Sequence, residues 1–181
     1  MNFEFLNKFL AGLTLVGDIG IALFLLASLT LFAFHKKFQP LEKLQAFASE
    51  NILLLGFAIT LFGTVASLFY SEVAHLPPCT LCWYQRIFLF SQAILFGIAY
   101  ARKDRNILNF TFVLTGIGLT IAVYHVLVQS GFSLPVPCSV NSLTSCATKE
   151  FQYFGFITIP VMSLTSYISL FILHGIAKMK K

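Results

Sequence analysis

Five long apolar runs constrain the fold of this chain more than any other feature of its sequence. They cover about residues 10–34, 52–70, 83–100, 107–128 and 154–173. A helix needs about 20 mostly apolar residues to cross about 30 Å of hydrocarbon. Only 10% of the residues are charged, whereas soluble domains carry about 25%. We therefore predict an all-α integral membrane protein with five spans, forming a single membrane domain over residues 1–181.

The first run is predicted to be a retained helix and not a cleaved signal peptide. Its apolar stretch is about 25 residues long, whereas the apolar core of a signal peptide has about 7–15. It contains Asp18, to which the sequence assigns no role, and the basic residues Lys36 and Lys37 follow the run instead of preceding it.

Basic residues are concentrated in alternate connections, and this predicts how the spans are oriented. Nine of the twelve Lys and Arg lie on one side: Lys36, Lys37, Lys43, Arg102, Lys103, Arg105, Lys178, Lys180 and Lys181. The positive-inside rule makes that side cytoplasmic. The N-terminus is then outside, the C-terminus is inside, and loops 71–82 and 129–153 are extracytoplasmic. The net charge of +5 is explained by topology, so no nucleic-acid partner is predicted.

All four cysteines fall on the predicted extracytoplasmic side, where disulfides form and persist. Cys79 and Cys82 precede or begin the third run, and Cys138 and Cys146 lie in loop 129–153. Three interpretations compete: structural disulfides, a zinc site and two interacting redox pairs.

The spacing of the cysteines favours redox pairs. A Cys-x2-Cys disulfide closes a very small loop, so it removes little entropy from the unfolded chain. For zinc, the eight-position gap of the second pair exceeds the usual two to four, and only His75 is close to the first pair, so no metal is predicted. Cys82 enters the first turn of the third helix, where unpaired N–H groups and the helix dipole stabilise a thiolate.

Arg86 is the candidate acceptor-binding residue. It lies one turn deeper than Cys82 on the same predicted helix face, and a charge within a span indicates a functional site. An alternative is that its side chain extends to the membrane interface. A guanidinium beside a dithiol suits a planar acceptor that becomes anionic on reduction, such as a membrane quinone. His125, near the outer end of the fourth run, is a second candidate contact, although a lone His on an apolar face more often only packs.

Three further residues within the spans carry structural expectations. Gly116 and Gly118 are predicted to let helices pack closely, and Pro160 is predicted to kink the fifth helix.

Two segments resemble the DsbB family of membrane disulfide bond formation proteins, most closely its BdbC-type branch. They are CTLCWYQR at 79–86 and PVPCSVNSLTSCATKEFQYFGFITIPVMSLTSY at 135–167. The similarity covers about Ile52 to Leu173. It implies a four-helix transmembrane bundle, to which the first span is an extra N-terminal helix.

The resemblance also implies a function: a protein-disulfide:quinone oxidoreductase of the bacterial cytoplasmic membrane. Such an enzyme re-oxidises a soluble or tethered extracytoplasmic thioredoxin-fold partner, DsbA- or BdbD-like, and reduces ubiquinone or menaquinone, which drives disulfide formation in exported proteins. By resemblance, Cys79–Cys82 is the quinone-coupled disulfide, Cys138–Cys146 is the partner-facing disulfide, and Arg86 contacts the quinone.

Two alternatives to this function stay open. One is a VKOR-like quinone reductase, although in that family the active Cys-x2-Cys usually follows the loop pair and here it precedes it. The other is a non-catalytic membrane protein whose outer loops are held by structural disulfides.

Overall fold

Six α-helices account for most of the structure. The computed structural model describes residues 3–33, 39–132 and 145–179. The helices are α1 (Phe3–Ala33), α2 (Gln39–Glu50), α3 (Ile52–Leu68), α4 (Thr80–Arg102), α5 (Ile107–Gln129) and α6 (Ile159–Met179). α3 continues into a π-helical turn at Phe69–Val73. Within the described ranges, β pairing is limited to one isolated bridge between Tyr153 and Ile157.

Five helical segments are long and apolar enough to cross a membrane, which confirms the predicted all-helical, five-span architecture. They are Glu4–Thr30, Ile52–Val73, Thr80–Arg102, Ile107–Gln129 and Ile159–Met179. Their orientation across the membrane stays a prediction.

Helices α3 to α6 form the four-helix bundle. Each helix packs on the next in the chain, and α6 packs back on α3. Glycines allow the close approach of α3 and α4: a Cβ at Gly56 would lie 2.6 Å from the Phe96 ring, and one at Gly63 would lie 2.9 Å from Leu89. Small residues at such positions let helix backbones approach, which is how membrane helices gain packing contacts.

Gly118 permits the packing of α5 against α6, as predicted, but Gly116 does not contribute. A Cβ at Gly118 would lie 2.2 Å from the Tyr167 ring, whereas a Cβ at Gly116 would meet nothing within 4 Å. The buried Tyr167 hydroxyl donates a hydrogen bond to the Gln85 carbonyl at 2.7 Å. This contact joins α6 to α4 close to the predicted site.

The last helix begins later than its apolar run. Phe154 and Gly155 have φ of 51° and 83°, and the backbone of Tyr153 exchanges hydrogen bonds with Ile157 across this turn. A left-handed backbone cannot continue into a helix, so α6 starts at Ile159. Pro160 therefore lies in the first turn, where its missing N–H costs no hydrogen bond, and the predicted kink is wrong.

Helix α1 packs against the outside of the bundle, mainly on α6. Asp18 Oδ1 accepts a hydrogen bond of 2.6 Å from Thr165 Oγ1 of α6. The opposite face of α1 is exposed, including Phe9, Leu13 and Val16. The fold thus agrees with a four-helix bundle plus one extra N-terminal helix.

Helix α2 was not anticipated by the hydropathy pattern. It is short, and it buries Ala48 and Ser49 while exposing Leu44 and Phe47. The Arg105 guanidinium, from the connection between α4 and α5, donates to the Ser49 carbonyl. This contact joins α2 to the connection between α4 and α5 at one end of the bundle, and the cysteines lie at the other end.

Candidate functional site

The dithiol is built on the first turn of α4. Cys79 is the N-cap residue, with extended backbone, and its Sγ accepts the Cys82 N–H at 3.4 Å. An N-cap side chain of this kind satisfies one of the N–H groups that have no partner within the helix. Cys79 and Cys82 are free thiols in this structure, and their sulfurs are 3.1 Å apart. The predicted Cys79–Cys82 disulfide stays a prediction, and the two sulfurs are placed for it.

A histidine completes this group, but it is His125 of α5 and not His75. Ligand atoms of Cys79, Cys82 and His125 lie within 4.8 Å of one another, whereas His75 is exposed on a left-handed turn. Two thiolates on one tetrahedral zinc, with Zn–S near 2.3 Å, would lie about 3.8 Å apart. The observed sulfur separation is shorter than that, and it suits a dithiol that closes to a disulfide better than a metal site.

The hydrogen bonds of His125 assign its tautomer. The Gln85 side-chain amide donates to His125 Nδ1 at 3.0 Å, so Nδ1 is the acceptor nitrogen and the ring proton is on Nε2. Nε2 lies 3.7 Å from Cys79 Sγ, and the ring is only 2% exposed. His125 therefore directs an N–H group at the Cys79 sulfur.

These contacts favour the thiolate form of Cys79. The hydrogen bond with the Cys82 thiol, followed by the contact with His125, lowers the pKa of the Cys79 thiol, although burial opposes the shift. Thiolate is the form that attacks disulfides.

Arg86 is held inside the bundle. It is 8% exposed; its Nε donates to Ser67 Oγ and its Nη2 donates to the Ser67 carbonyl, both at 2.7 Å. Its Cζ also lies 5.4 Å from the centre of the Trp83 ring. The interfacial alternative does not account for this burial. Of its five N–H groups, the three others have no acceptor among the described residues, so they are available to an acceptor molecule.

One cavity of about 150 Å³ connects these groups. Its polar lining includes Cys79, Cys82, Arg86 and His125, and its apolar lining includes side chains of α3, α4 and α6, among them Phe62, Leu89 and Met162. A mainly apolar cleft with a few convergent polar groups is typical of small-molecule sites. The arrangement fits a quinone ring, which is flat and apolar except for its carbonyl oxygens.

Cys146 belongs to the same end of the molecule. It lines the cavity, packs in one cluster with Cys79 and Leu81, is 2% exposed and is disulfide-bonded. Cys138 lies outside the described residues, so the Cys138–Cys146 pairing stays a prediction. The structure thus brings five of the six predicted site residues to one cavity, which is lined by Cys79, Cys82, Arg86, His125 and Cys146.

Two supporting residues were missed by sequence reasoning. Ser67 positions Arg86. Gln129 links the Cys146 segment to the residue that precedes α6, because it donates to the Thr148 carbonyl at 3.0 Å and accepts from Thr158 Oγ1 at 2.8 Å. The available signal was weak: each is a polar residue close to the outer end of an apolar run.

Comparisons with known proteins agree with this site. The family model described as "Disulfide bond formation protein DsbB" matches residues 49–177, a range that contains all four cysteines, Arg86 and His125. No solved structure matches the chain.

Three curated relatives illustrate the similarity. The SPbeta prophage-derived disulfide bond formation protein B of Bacillus subtilis is 45% identical over 122 residues, which is 67% of this chain and 82% of the relative. A probable disulfide formation protein of Oceanobacillus iheyensis is 37% identical over 127 residues, 70% of this chain and 88% of the relative. A probable disulfide formation protein of Chlamydia caviae is 37% identical over 137 residues, 75% of this chain and 97% of the relative.

The family match covers most of the chain, including the complete four-helix bundle and its dithiol. This chain is therefore a member of the DsbB family, a multi-pass bacterial membrane protein of disulfide bond formation.

Proposed function

We propose that this protein is a quinone-dependent thiol–disulfide oxidoreductase of the cytoplasmic membrane, with its cysteines on the extracytoplasmic face. It re-oxidises a DsbA- or BdbD-like thioredoxin-fold partner and delivers the electrons to a membrane quinone. One observation carries the proposal: two thiols 3.1 Å apart line the same cavity as a buried arginine, among helices that can span a membrane.

The electron path runs through two disulfide exchanges. A partner thiolate attacks the Cys138–Cys146 disulfide, and the partner leaves as a disulfide while the loop pair becomes a dithiol. That dithiol then reduces the Cys79–Cys82 disulfide through a mixed disulfide, so two electrons and two protons reach the α4 pair. When bound, a quinone supplies the terminal two-electron, two-proton acceptor.

The residues around the α4 dithiol have separable tasks. Cys79, capped by the Cys82 N–H and faced by His125, holds the negative charge of the thiolate. Arg86, fixed by its two bonds to Ser67, presents a cation to the carbonyl oxygens of an acceptor in the cavity. The surrounding apolar side chains exclude water and strengthen that electrostatic attraction.

The test is quinone reduction by the purified protein in nanodiscs, using a reduced thioredoxin-fold oxidase as electron donor and following quinone absorbance. Cys79→Ser and Cys82→Ser should each abolish quinol formation. Thr80→Ala, which lies between the two cysteines without contributing a sulfur, is the matched control and should retain turnover. Continued turnover in either serine variant would contradict the assignment.

Arg86→Lys tests the acceptor contact separately. Lysine keeps the charge but loses the planar fork. We therefore expect the KM for quinone to rise by about tenfold or more, because one charge-assisted hydrogen bond to the quinone is lost. Disulfide exchange with the partner, measured without quinone, should not change. Arg102→Lys, at the opposite end of α4, is the control.

A redox titration distinguishes this enzyme from a protein with structural loop disulfides. Structural disulfides have potentials below about −300 mV. We expect the Cys79–Cys82 couple to titrate well above that value in glutathione buffers. A potential below it would favour the non-catalytic alternative.

A further inference from the structure

Helix α1 lies outside the family match at residues 49–177, yet it contributes to the cavity that holds the dithiol. Leu10 and Thr14 of α1 line this cavity together with Cys82 and Arg86. We propose that α1 is the lipid-side wall of the acceptor site, and that Leu10 and Thr14 contact the quinone there. This inference rests on the proposed function and extends it to a helix that the four-helix pattern lacks.

The faces of α1 differ as this role requires. Asn7, Leu10 and Ala11 are buried against the protein, whereas Phe9 and Leu13, which are neighbours in sequence, are exposed. Residues 7, 10, 11 and 14 recur at the spacing of one helix face. The buried face turns toward the cavity, and the exposed face is apolar and suited to lipid.

A polar contact between Asp18 and Thr165 holds this face in register with α6. Asp18 is the only charged residue between Lys8 and the end of α1. It lies one turn beyond Thr14, and its Oδ1 accepts the 2.6 Å hydrogen bond from Thr165. A carboxyl group in a span is costly unless it has a partner, so this pairing favours one docked position of α1 and gives Asp18 an anchoring role.

The part of the cavity wall that α1 forms behaves as an apolar surface toward a ligand. The Thr14 hydroxyl donates to the Leu10 carbonyl at 2.9 Å, and a hydroxyl has one proton to donate. Thr14 therefore does not compete with Arg86 for the carbonyl oxygens of the acceptor. The task of α1 is to set the width of the site and to exclude lipid and water.

Binding can be measured without turnover because the chain has one tryptophan, and that residue, Trp83, stacks near Arg86. Quenching of its fluorescence by a short-tailed ubiquinone in detergent micelles, which add no other tryptophan, gives a Kd. Thr14→Phe should raise this Kd by about tenfold, because the larger side chain fills the cavity and overpacks the site that the quinone occupies. Leu13→Phe, on the exposed face, is the matched control and should bind like the wild type.

The anchor is tested with Thr165→Val, which keeps the side-chain shape but removes the hydroxyl that bonds both Asp18 Oδ1 at 2.6 Å and the Val161 carbonyl of its own helix at 3.0 Å. Thr120→Val is the control, because the exposed Thr120 hydroxyl bonds only within its own helix among the described contacts. Thr165→Val should speed amide hydrogen exchange within α1 and weaken quinone binding, and the control should do neither.

The outcomes separate this inference from the function on which it rests. If the wild type binds quinone and Thr14→Phe binds it equally well, α1 is not part of the site. The same conclusion follows if Thr165→Val loosens α1 without changing the Kd. If quinone does not quench Trp83 in the wild type and is not reduced, the proposed function itself fails.

Discussion

Cys79 and Cys82 have different surroundings although they form one dithiol. Cys79 caps α4, accepts the Cys82 N–H and faces the Nε2 proton of His125. Cys82 is inside the first turn and supplies the hydrogen bond that most favours the Cys79 thiolate. The negative charge of the reduced pair therefore resides on Cys79, which lies at the junction with the Cys146 segment.

This asymmetry predicts how the reactivity of the Cys79 thiol depends on pH. Its pKa is lowered, so the thiolate is present well below the ordinary thiol pKa of about 8.5 and is lost only as the pH falls through the lowered value. Alkylation of Cys79, followed by peptide mass spectrometry of the reduced protein, should show that low midpoint. Cys82→Ala should raise the midpoint most, and His125→Phe should raise it by a smaller amount.

His75→Phe is the control for this experiment, because His75 is exposed and does not belong to the cluster of Cys79, Cys82 and His125. It should leave the alkylation profile unchanged. A Cys79 midpoint that is equally low in Cys82→Ala would show that the pair does not share its charge in this way.

At the scale of single residues, the sequence predicted relations between residues one helical turn apart. It missed contacts that depend on how two helices pack. The position of Arg86 one turn below Cys82 follows from residue numbers alone. The contact of His125 with Cys79 depends on how α5 packs on α4 through Gln85, and the contact of Ser67 with Arg86 depends on how α3 packs on α4. Neither is encoded in local spacing.

Helix α5 shows how one glycine determines a contact between elements. The Tyr167 ring of α6 occupies the space above Gly118 and hydrogen-bonds to the backbone of α4. Gly118→Ala should therefore lower the free energy of unfolding by about 1–3 kcal/mol, the usual cost of overpacking. Thermal unfolding in detergent micelles measures the change.

Gly116→Ala is the matched control two positions away on α5. A Cβ there meets nothing within 4 Å, and alanine is favoured over glycine in a helix by up to about 1 kcal/mol. Gly116→Ala should be neutral or stabilising. Equal destabilisation by both substitutions would show that the Tyr167 contact does not explain the effect.

The elements themselves were predictable to the extent that hydropathy defines them. The five spans are long apolar stretches, and the length of such a stretch is determined by consecutive residues of the sequence. The start of α6 was misplaced because the left-handed pair Phe154 and Gly155 is a backbone feature within an apolar run. Helix α2 was missed because it has only 12 residues of mixed polarity, and its burial depends on neighbouring helices.

The whole molecule has two chemically different ends. Among the described residues, Lys43, Arg102, Lys103, Arg105 and Lys178 lie toward the end where α4 and α6 terminate, and the cysteine cavity lies where they begin. Positive charge is retained on the cytoplasmic side of membranes. This separation supports the proposed orientation, with the cysteines outside.

Labelling from outside the cell tests that orientation. In a variant without the four native cysteines, Lys149→Cys should react with a membrane-impermeant maleimide in intact cells. Asn106→Cys, at the connection between α4 and α5, should react only after the membrane is opened. The reverse pattern would place the dithiol in the reducing cytosol and exclude the proposed reaction.

The depth of Arg86 has a consequence for where the electron acceptor of the reaction comes from. It lies about 10 Å along the axis of α4 from Cys79, so an acceptor that contacts it stays within a bilayer whose hydrocarbon core is about 30 Å thick. In the proposed reaction, the oxidant that forms disulfides in secreted proteins is then a carrier dissolved in the lipid beside the helices, and not a solute of the surrounding medium. The capacity of the cell to mature its exports would follow its respiration.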